Sequence, residues 1–352
     1  MENKTKYLDS ASTTKVDPLV LAEMIPYFSE YFGNASSLHS YGKVAKEAIE
    51  KSRNQVAKTI NSNSNEMIFT SGATEAINLA IKGFVEANIE KGNHIITVKT
   101  EHKAVLSTCE YLETKGFEVT YLDVDESGLI SMNQLKDSLK ETTILVAVMY
   151  VNNETGVIQP IKQIGEITNE NNIAFFCDAT QAIGKLKVDV EEDLIDMLCF
   201  SGHKLNGPKG VGVLYKRNGI QLIPLIHGGG QEKGLRAGTY NTPLIVGVGK
   251  ACEIAIENFD DRVSILVKKK NEIENYYEKN KIGKVNFKNV KTAPHILSIT
   301  LSDFEADEYL MLNSKKFVAS TGSACNAEVV EISHVLKAMR VCSPEKVIRI
   351  SI

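Results

Sequence analysis

The chain has 352 residues, of which 43% are hydrophobic and 24% charged, so it is long enough for a large core and for two domains. Its formal net charge of -4 argues against a general nucleic-acid-binding surface, which needs clustered positive charge. No apolar run approaches membrane-spanning length, and the polar start MENKTKYLDS has no apolar signal core. We therefore expect no direct contact with nucleic acid or with a membrane.

The cysteines are scattered without a C-x-x-C pair, at positions 109, 177, 199, 252, 325 and 342. This spacing is typical of free thiols in a reducing compartment rather than of a disulfide framework. With no secretory signal in view, the sequence predicts a cytoplasmic protein.

Seven short β-branched runs alternate with helical patterns between about residues 66 and 216. They read EMIFTS, HIITVKT, EVTYLDV, TILVAVMYV, AFFCDAT, MLCFSG and GVGVLYK. Such alternation is typical of βαβ units on a mostly parallel seven-stranded sheet. The helix after TSGATE has an apolar face from Ile77 to Val85, and Gly92 is predicted to close it.

Near residue 256 the pattern changes to a long charged helix, ENFDDRVSILVKKKNEIENYYEKN, and then to three further strands, HILSITL, KFVAST and KVIRISI. The predicted architecture is an α/β protein with a large domain at 16–255 and a smaller α+β domain at 256–352. The segment 1–15 is predicted to associate with the small domain.

Polar residues directly follow several predicted strands, where ligands bind in open α/β sheets. Between one strand and the next helix, FTSGATE supplies free backbone amides and a helix dipole that favour a phosphate. The other strand ends carry His102, Asn153, Asp178, Gln181, Ser201, His203 and Lys204. Taken singly, these residues suit helix caps, turns or a solvated face. Together they meet the needs of pyridoxal 5'-phosphate (PLP): a phosphate cradle, a Schiff-base lysine, a carboxylate for the ring nitrogen and a flat stacking partner.

The chain carries, in this order, YLDSASTT, FGNASSLH, FTSGATEAINLAIKG, KTEHKAVL, VNNETGVIQPI, DATQAIGK, SGHKLNGPKGVG, HGGGQE, RAGTYNTPLIVG and STGSACN. Over nearly its whole length it resembles the NifS-like and IscS-like cysteine desulfurases, PLP enzymes of fold type I in the class V aminotransferase superfamily. The resemblance implies a homodimer with a shared active site.

The resemblance also implies roles for individual positions. Lys204 looks like the Schiff-base lysine, His102 like the ring-stacking acid–base group and Asp178 like the pyridinium partner. The resemblance implies that Gln181 contacts the phenolic oxygen of the cofactor. It also implies that the phosphate is bound by Gly72, Ala73, Thr74, Ser201 and His203, and by Thr239 of the second subunit. Asn153 and Arg349 resemble the pair that binds the substrate carboxylate, since an arginine can bind a carboxylate bidentately.

Cys325 is the predicted nucleophile. It lies in ASTGSACNAEVVE, a run of small and polar residues that suits a mobile loop of the small domain. The resemblance implies that its thiolate takes the sulfur of L-cysteine, which leaves L-alanine and a persulfide for an acceptor protein. Cys342 is the alternative nucleophile. There is no HExxH motif and no ligand spacing among the histidines, so we expect no metal site apart from a transient iron–sulfur species at Cys325.

Two departures from the family bear on the acceptor. The nucleophile loop continues as CNAEVVEIS instead of a Ser/Thr-rich turn, and the chain stops at VIRISI, where relatives continue. We therefore expect an acceptor either in iron–sulfur cluster assembly or in a tRNA thiolation or DNA phosphorothioation pathway. The alternative functions are another PLP enzyme, such as a selenocysteine lyase or an aminotransferase, and a non-catalytic partner protein with the same fold.

Overall fold

A computed structural model describes residues 5–321 and 332–352, so Cys325 lies outside the described residues. The strands are β1 (Lys6–Tyr7), β2 (Met67–Thr70), β3 (His94–Val98), β4 (Glu118–Leu122), β5 (Thr143–Ala147), β6 (Ala174–Asp178), β7 (Met197–Ser201), β8 (Gly212–Lys216), β9 (Gly283–Val285), β10 (Ile296–Leu301), β11 (Phe317–Val318), β12 (Ser320–Thr321) and β13 (Val347–Ser351). The helices are α1 (Pro18–Met24), α2 (Pro26–Ser29), α3 (Ser40–Thr59), α4 (Ala73–Ala87), α5 (Lys103–Glu113), α6 (Met132–Asp137), α7 (Ile161–Glu170), α8 (Thr242–Glu257), α9 (Phe259–Lys279), α10 (Ala306–Asn313) and α11 (His334–Ala338).

The main sheet has seven strands in the order β2-β8-β7-β6-β5-β3-β4. Five of them, from β7 through β6, β5 and β3 to β4, pair in parallel. β8 is antiparallel to both of its neighbours, β2 and β7. All seven strand predictions and the mostly parallel α/β fold are confirmed.

Both faces of this sheet are covered, which explains why its central strands read as continuous apolar runs. Every residue of β3, β5, β6 and β7 is buried. On β6, Phe175 packs into the cluster beneath α3 and α8, whereas Phe176 packs into the cluster beneath α4 and α5. Adjacent residues of a strand point to opposite faces, so one strand contributes to both cores.

A second sheet is four-stranded and antiparallel, in the order β12-β13-β10-β9, and it packs over its own apolar cluster. The predicted late strands and the long charged helix are present as β10 to β13 and α9. Near the start of the chain, β1 pairs in parallel with β11. The domain boundaries after residues 15 and 255 stay predictions.

One helix end differs from its prediction. Helix α4 ends at Ala87 with Asn88 as its C-cap, so Gly92 does not close it. Gly92 instead lies against the strand entry, where an added Cβ would be 2.3 Å from the carbonyl oxygen of Thr142. The glycine therefore serves a close backbone approach beside β3 rather than a helix cap. Among the described residues, the helices include none with the length and apolar character needed to span a membrane.

Candidate active site

A cavity of about 1080 Å³ lies at the carboxyl ends of the parallel strands. The predicted site residues that line it are Gly72, Ala73, Thr74, His102, Asn153, Asp178, Gln181, Ser201, His203, Lys204 and Arg349. Thr239 is exposed and lies outside this lining. The fold thus brings together side chains from five strand ends, while the roles assigned to them stay predictions.

The anion-binding end of the cavity is built by the turn between β2 and α4. Gly72 is the N-cap of α4, and the first amides of a helix have no acceptor within it. Gly212 of β8 packs directly behind, and a Cβ there would be 2.4 Å from the carbonyl carbon of Gly72. Only glycine at position 212 therefore lets the turn lie against the sheet.

His203 stands beside this turn as a neutral imidazole. Burial, followed by the charges of Lys204 and Lys209, lowers its pKa to about 4. Its Nδ1 is 3.1 Å from the hydroxyl oxygen of Thr13. A neutral ring keeps one N–H to donate, so His203 suits a hydrogen bond to an anion at physiological pH.

Lys204 follows β7 in a single 3-10 turn, Gly202–Lys204. Its Nζ donates to the backbone oxygens of Ala11, at 2.6 Å, and Ser12, at 2.7 Å. Its own backbone oxygen accepts from Nζ of Lys185, a buried side chain. Burial, followed by the positive charges of Lys204 and Arg262, lowers the pKa of Lys185 to about 7. The N-terminal segment therefore holds one amine at the site, and a second amine supports the turn behind it.

Asp178 is the last residue of β6, and Gln181 follows it by three positions. One carboxylate oxygen of Asp178 accepts from the backbone N–H of Thr180 at 2.9 Å. The amide nitrogen of Gln181 donates to the oxygen of Ala11, also at 2.9 Å. Thr180 lines the cavity, and its hydroxyl is buried without a hydrogen-bond partner among the described residues.

His102 is the N-cap of α5, and its Nδ1 accepts from the backbone N–H of Ala104 at 3.1 Å. In the neutral ring the proton is therefore on Nε2. The pKa of His102 is lowered chiefly by burial, which outweighs the opposite effect of Asp178. Lys204 acts in the same direction as burial. The ring consequently offers a neutral Nε2–H group.

Arg349 of β13 is buried at the cavity wall. Its Nη2 donates to Asp9, at 2.8 Å, and to the hydroxyl of Ser12, at 2.7 Å, while its Nη1 donates to the backbone oxygen of Asn153, at 3.1 Å. Its Nε is buried without a partner among the described residues. Arg349 and Asn153 are thus adjacent, and the contact uses the backbone of Asn153.

Sequence reasoning assigned no role to several residues around the cavity. The carboxylate of Glu154 accepts a hydrogen bond from the hydroxyl of Ser333, the N-cap of α11. Burial raises the pKa of Glu154 to about 7. His334 lines the cavity and donates from Nε2 to the backbone oxygen of Glu101 at 2.9 Å. The sequence did hold one signal for Glu154, since this residue directly follows Asn153 in the motif VNNETG.

Of the five described cysteines, the four at positions 109, 177, 199 and 252 are buried, and Cys342 is exposed. Burial raises the pKa of both Cys109 and Cys252 to about 12 and that of Cys177 and Cys199 well above the ordinary range. A thiol must ionise to attack sulfur, so these four are unsuited to be the nucleophile. Among residues 5–321 and 332–352, no cluster of three metal-ligating side chains is found.

The family model for aminotransferase class-V matches residues 6–352. The chain belongs to this family. Its relatives include the cysteine desulfurase IscS of Methanosarcina thermophila, 46% identical over 338 residues that cover 96% of this chain and 84% of the relative. The cysteine desulfurase IscS of Neisseria meningitidis serogroup C is 47% identical over 343 residues, with 95% and 83% covered. The resemblance to IscS-like cysteine desulfurases is confirmed, and this class V family is PLP-dependent as a general property.

Solved structures agree with this membership. A NifS-like protein superimposes with a TM-score of 0.92 at 38% identity, covering 99% of this chain and 93% of that one. A structure described as SspA in complex with cysteine gives a TM-score of 0.87 at 40% identity, with 99% of each chain covered. DndA from Streptomyces lividans gives 0.81 at 36% identity, covering 98% of this chain and 99% of that one.

Proposed function

We propose that this protein is a cysteine desulfurase, which uses PLP to convert L-cysteine to L-alanine and a persulfide on Cys325. The observation that carries the proposal is one cavity lined by Lys204, Asp178, His102 and Arg349. It occurs in a chain whose curated relatives are named cysteine desulfurase IscS and whose structural relatives include one in complex with cysteine.

The polar groups around the cavity fit the cofactor. Lys204 would hold it covalently, Asp178 would pair with its ring nitrogen, and His102 would lie against its ring. The phosphate would meet the first turn of α4 together with Ser201 and His203. Thr180, whose hydroxyl has no partner in residues 5–321 and 332–352, offers a further polar group. When bound, PLP supplies an electron sink that weakens bonds around the α-carbon of an amino acid.

The substrate would be held by its carboxylate at Arg349 and Asn153. The Nε–H of Arg349 supports this role, since it has no acceptor within the part of the chain that the structure describes. A buried donor without an acceptor is costly, and an incoming carboxylate would satisfy it. Lys204 would move the α-proton, and the hydrogen bonds of its Nζ to the backbone oxygens of Ala11 and Ser12 position the amine at the site. His102 would donate from Nε2, since its Nδ1 is engaged by Ala104.

Two subunits would share each site. A run of exposed apolar side chains near the start of the chain supports a homodimer, since patches of this kind mark protein contacts: Leu19, Leu21, Ile25, Phe28, Phe32, Leu38 and Tyr41. Thr239 lies outside its own chain's cavity, which is consistent with a phosphate contact in the second subunit. The sulfur acceptor is a protein of iron–sulfur cluster assembly or of a tRNA thiolation or DNA phosphorothioation pathway. The cytoplasmic location stays a prediction.

The proposal is tested by incubating the purified, PLP-loaded protein with L-cysteine and a reductant and measuring alanine and sulfide together. Wild type should form both in equal amounts, and Cys325→Ala should form neither. Cys342→Ala is the matched control and should match wild type. Loss of product in Cys342→Ala alone would make Cys342 the nucleophile. Alanine from Cys325→Ala at the wild-type rate would favour a PLP enzyme of another reaction type, such as a selenocysteine lyase.

A further inference from the structure

A histidine that sequence reasoning left without a role lies behind the cavity. His295 immediately precedes β10 and is 1% exposed. Its Nε2 is 3.1 Å from Oε1 of Gln181, which is itself 4% exposed and lines the cavity. Buried polar groups at this depth are normally fully hydrogen-bonded, so the direction of each bond can be assigned from chemistry.

The backbone oxygen of Ala11 fixes that direction. It can only accept, so the group of Gln181 that lies 2.9 Å from it is the amide N–H. The amide oxygen of Gln181 therefore faces His295, and Nε2 of His295 carries the proton. The amide nitrogen of Gln181 has two N–H groups, and Ala11 takes one of them.

The surroundings keep His295 in this single form. Burial, together with the positive charges of Lys185, Lys270, Arg349 and Lys204, lowers its pKa well below the ordinary value. A neutral ring with its proton on Nε2 has no proton on Nδ1, and Nδ1 is buried without a partner among the described residues. His295 thus donates one hydrogen bond, and Gln181 receives it.

We propose that His295 is a positioning residue, which holds the amide of Gln181 so that its second N–H faces the cavity and donates to the phenolic oxygen of PLP. The proposal rests on the proposed function and adds to its site a residue that directly precedes a strand of the second sheet. Without His295, the amide oxygen of Gln181 would be buried and unpaired, and the amide would turn to pair it elsewhere. The same oxygen of Ala11 also accepts from Lys204, at 2.6 Å, so the arrangement extends to the cofactor lysine.

The test compares the absorption maximum of bound PLP in His295→Leu, Gln181→Leu and the double variant. Both single variants should shift the maximum in the same direction and by the same amount, and the double variant should shift it no further. His295→Gln places a donor near the position of Nε2 and should retain the wild-type maximum, whereas the shorter His295→Asn should show the shift. In kcat/KM, the loss of one such bond corresponds to about a two- to tenfold decrease.

The matched control is His94→Leu. His94 is equally buried, with its ring nitrogens 2.7 Å and 2.8 Å from the hydroxyls of Thr143 and Thr120. It begins β3, at the end of the strand opposite to the cavity, and it does not line the cavity. The His94→Leu variant should lower the stability of the fold without moving the absorption maximum of bound PLP. A wild-type maximum in His295→Leu, or additive shifts in the double variant, would overturn the inference alone. If wild type binds no PLP, the proposed function fails instead. If His295→Leu does not fold, the comparison of His295→Gln with His295→Asn tests the inference, since only His295→Asn should shift the absorption maximum.

Discussion

Glu154 makes the stability of the protein depend on pH in a direction that can be calculated. Its carboxyl is buried beside the cavity, and burial raises its pKa from 4.5 to about 7 despite the hydrogen bond from Ser333 and the charge of Arg349. A raised acid pKa means that the folded protein favours the protonated form. The resulting stabilisation is complete below a pH of about 4.5 and is lost as the pH rises through about 7. At about 1.4 kcal/mol per pKa unit, ionisation destabilises the fold by about 3 kcal/mol.

Glu154→Gln removes this titration while keeping an acceptor for Ser333. We expect the variant to gain on wild type as the pH rises, by about 3 kcal/mol between acidic and mildly alkaline conditions. The measurement is the free energy of unfolding in urea for both proteins across that range, because other titrating groups cancel in the difference. Glu86→Gln, at an exposed position on α4, is the control and should show no such trend. Parallel curves for wild type and Glu154→Gln would refute the reasoning.

Two further variants test the buried ion pairs. Asp9→Ala frees the guanidinium of Arg349, which it contacts at 2.8 Å, so the KM for L-cysteine should rise about tenfold with a smaller change in kcat. Binding of cysteamine, which lacks the carboxylate, should be unchanged, and equal weakening of both ligands would contradict the interpretation. Arg53→Met leaves Glu232 buried without its partner at 2.7 Å, so the free energy of unfolding should fall by about 3–5 kcal/mol. Denaturant titration measures this fall, and a value below about 1 kcal/mol would count against it.

The main sheet was predictable because its signal is local. Each central strand is buried on both faces and therefore appears as a short apolar run within a few residues. The strand ends were predictable for the same reason, since Asp178 and Ser201 directly follow such runs. Gly92 was misassigned because a glycine that permits close packing and one that ends a helix look alike in sequence.

The support of the site was not predictable in this way, because its contacts join distant parts of the chain. Asp9 and Arg349 are 340 residues apart, and His295 and Gln181 are 114 apart. No periodicity relates such pairs, and a buried histidine with one bond resembles any core histidine in sequence. The motif YLDSASTT marked the N-terminal segment as part of the resemblance, but only the fold brings Ala11 and Ser12 onto Lys204.

The charges gathered at the cavity connect its chemistry to the stability of the fold. Lys204, Lys209 and Arg349 line it and Lys185 lies directly behind, while Asp178 and Glu154 are acidic groups in the same wall. Burial, and after it the repulsion from neighbouring cations, lowers the pKa of Lys185 and of His203. A phosphate and a carboxylate bound here would offset that repulsion, and this relief exists only in the folded state. Binding of an anionic cofactor is therefore coupled to folding, so the residues that bind it also determine how much stability it adds.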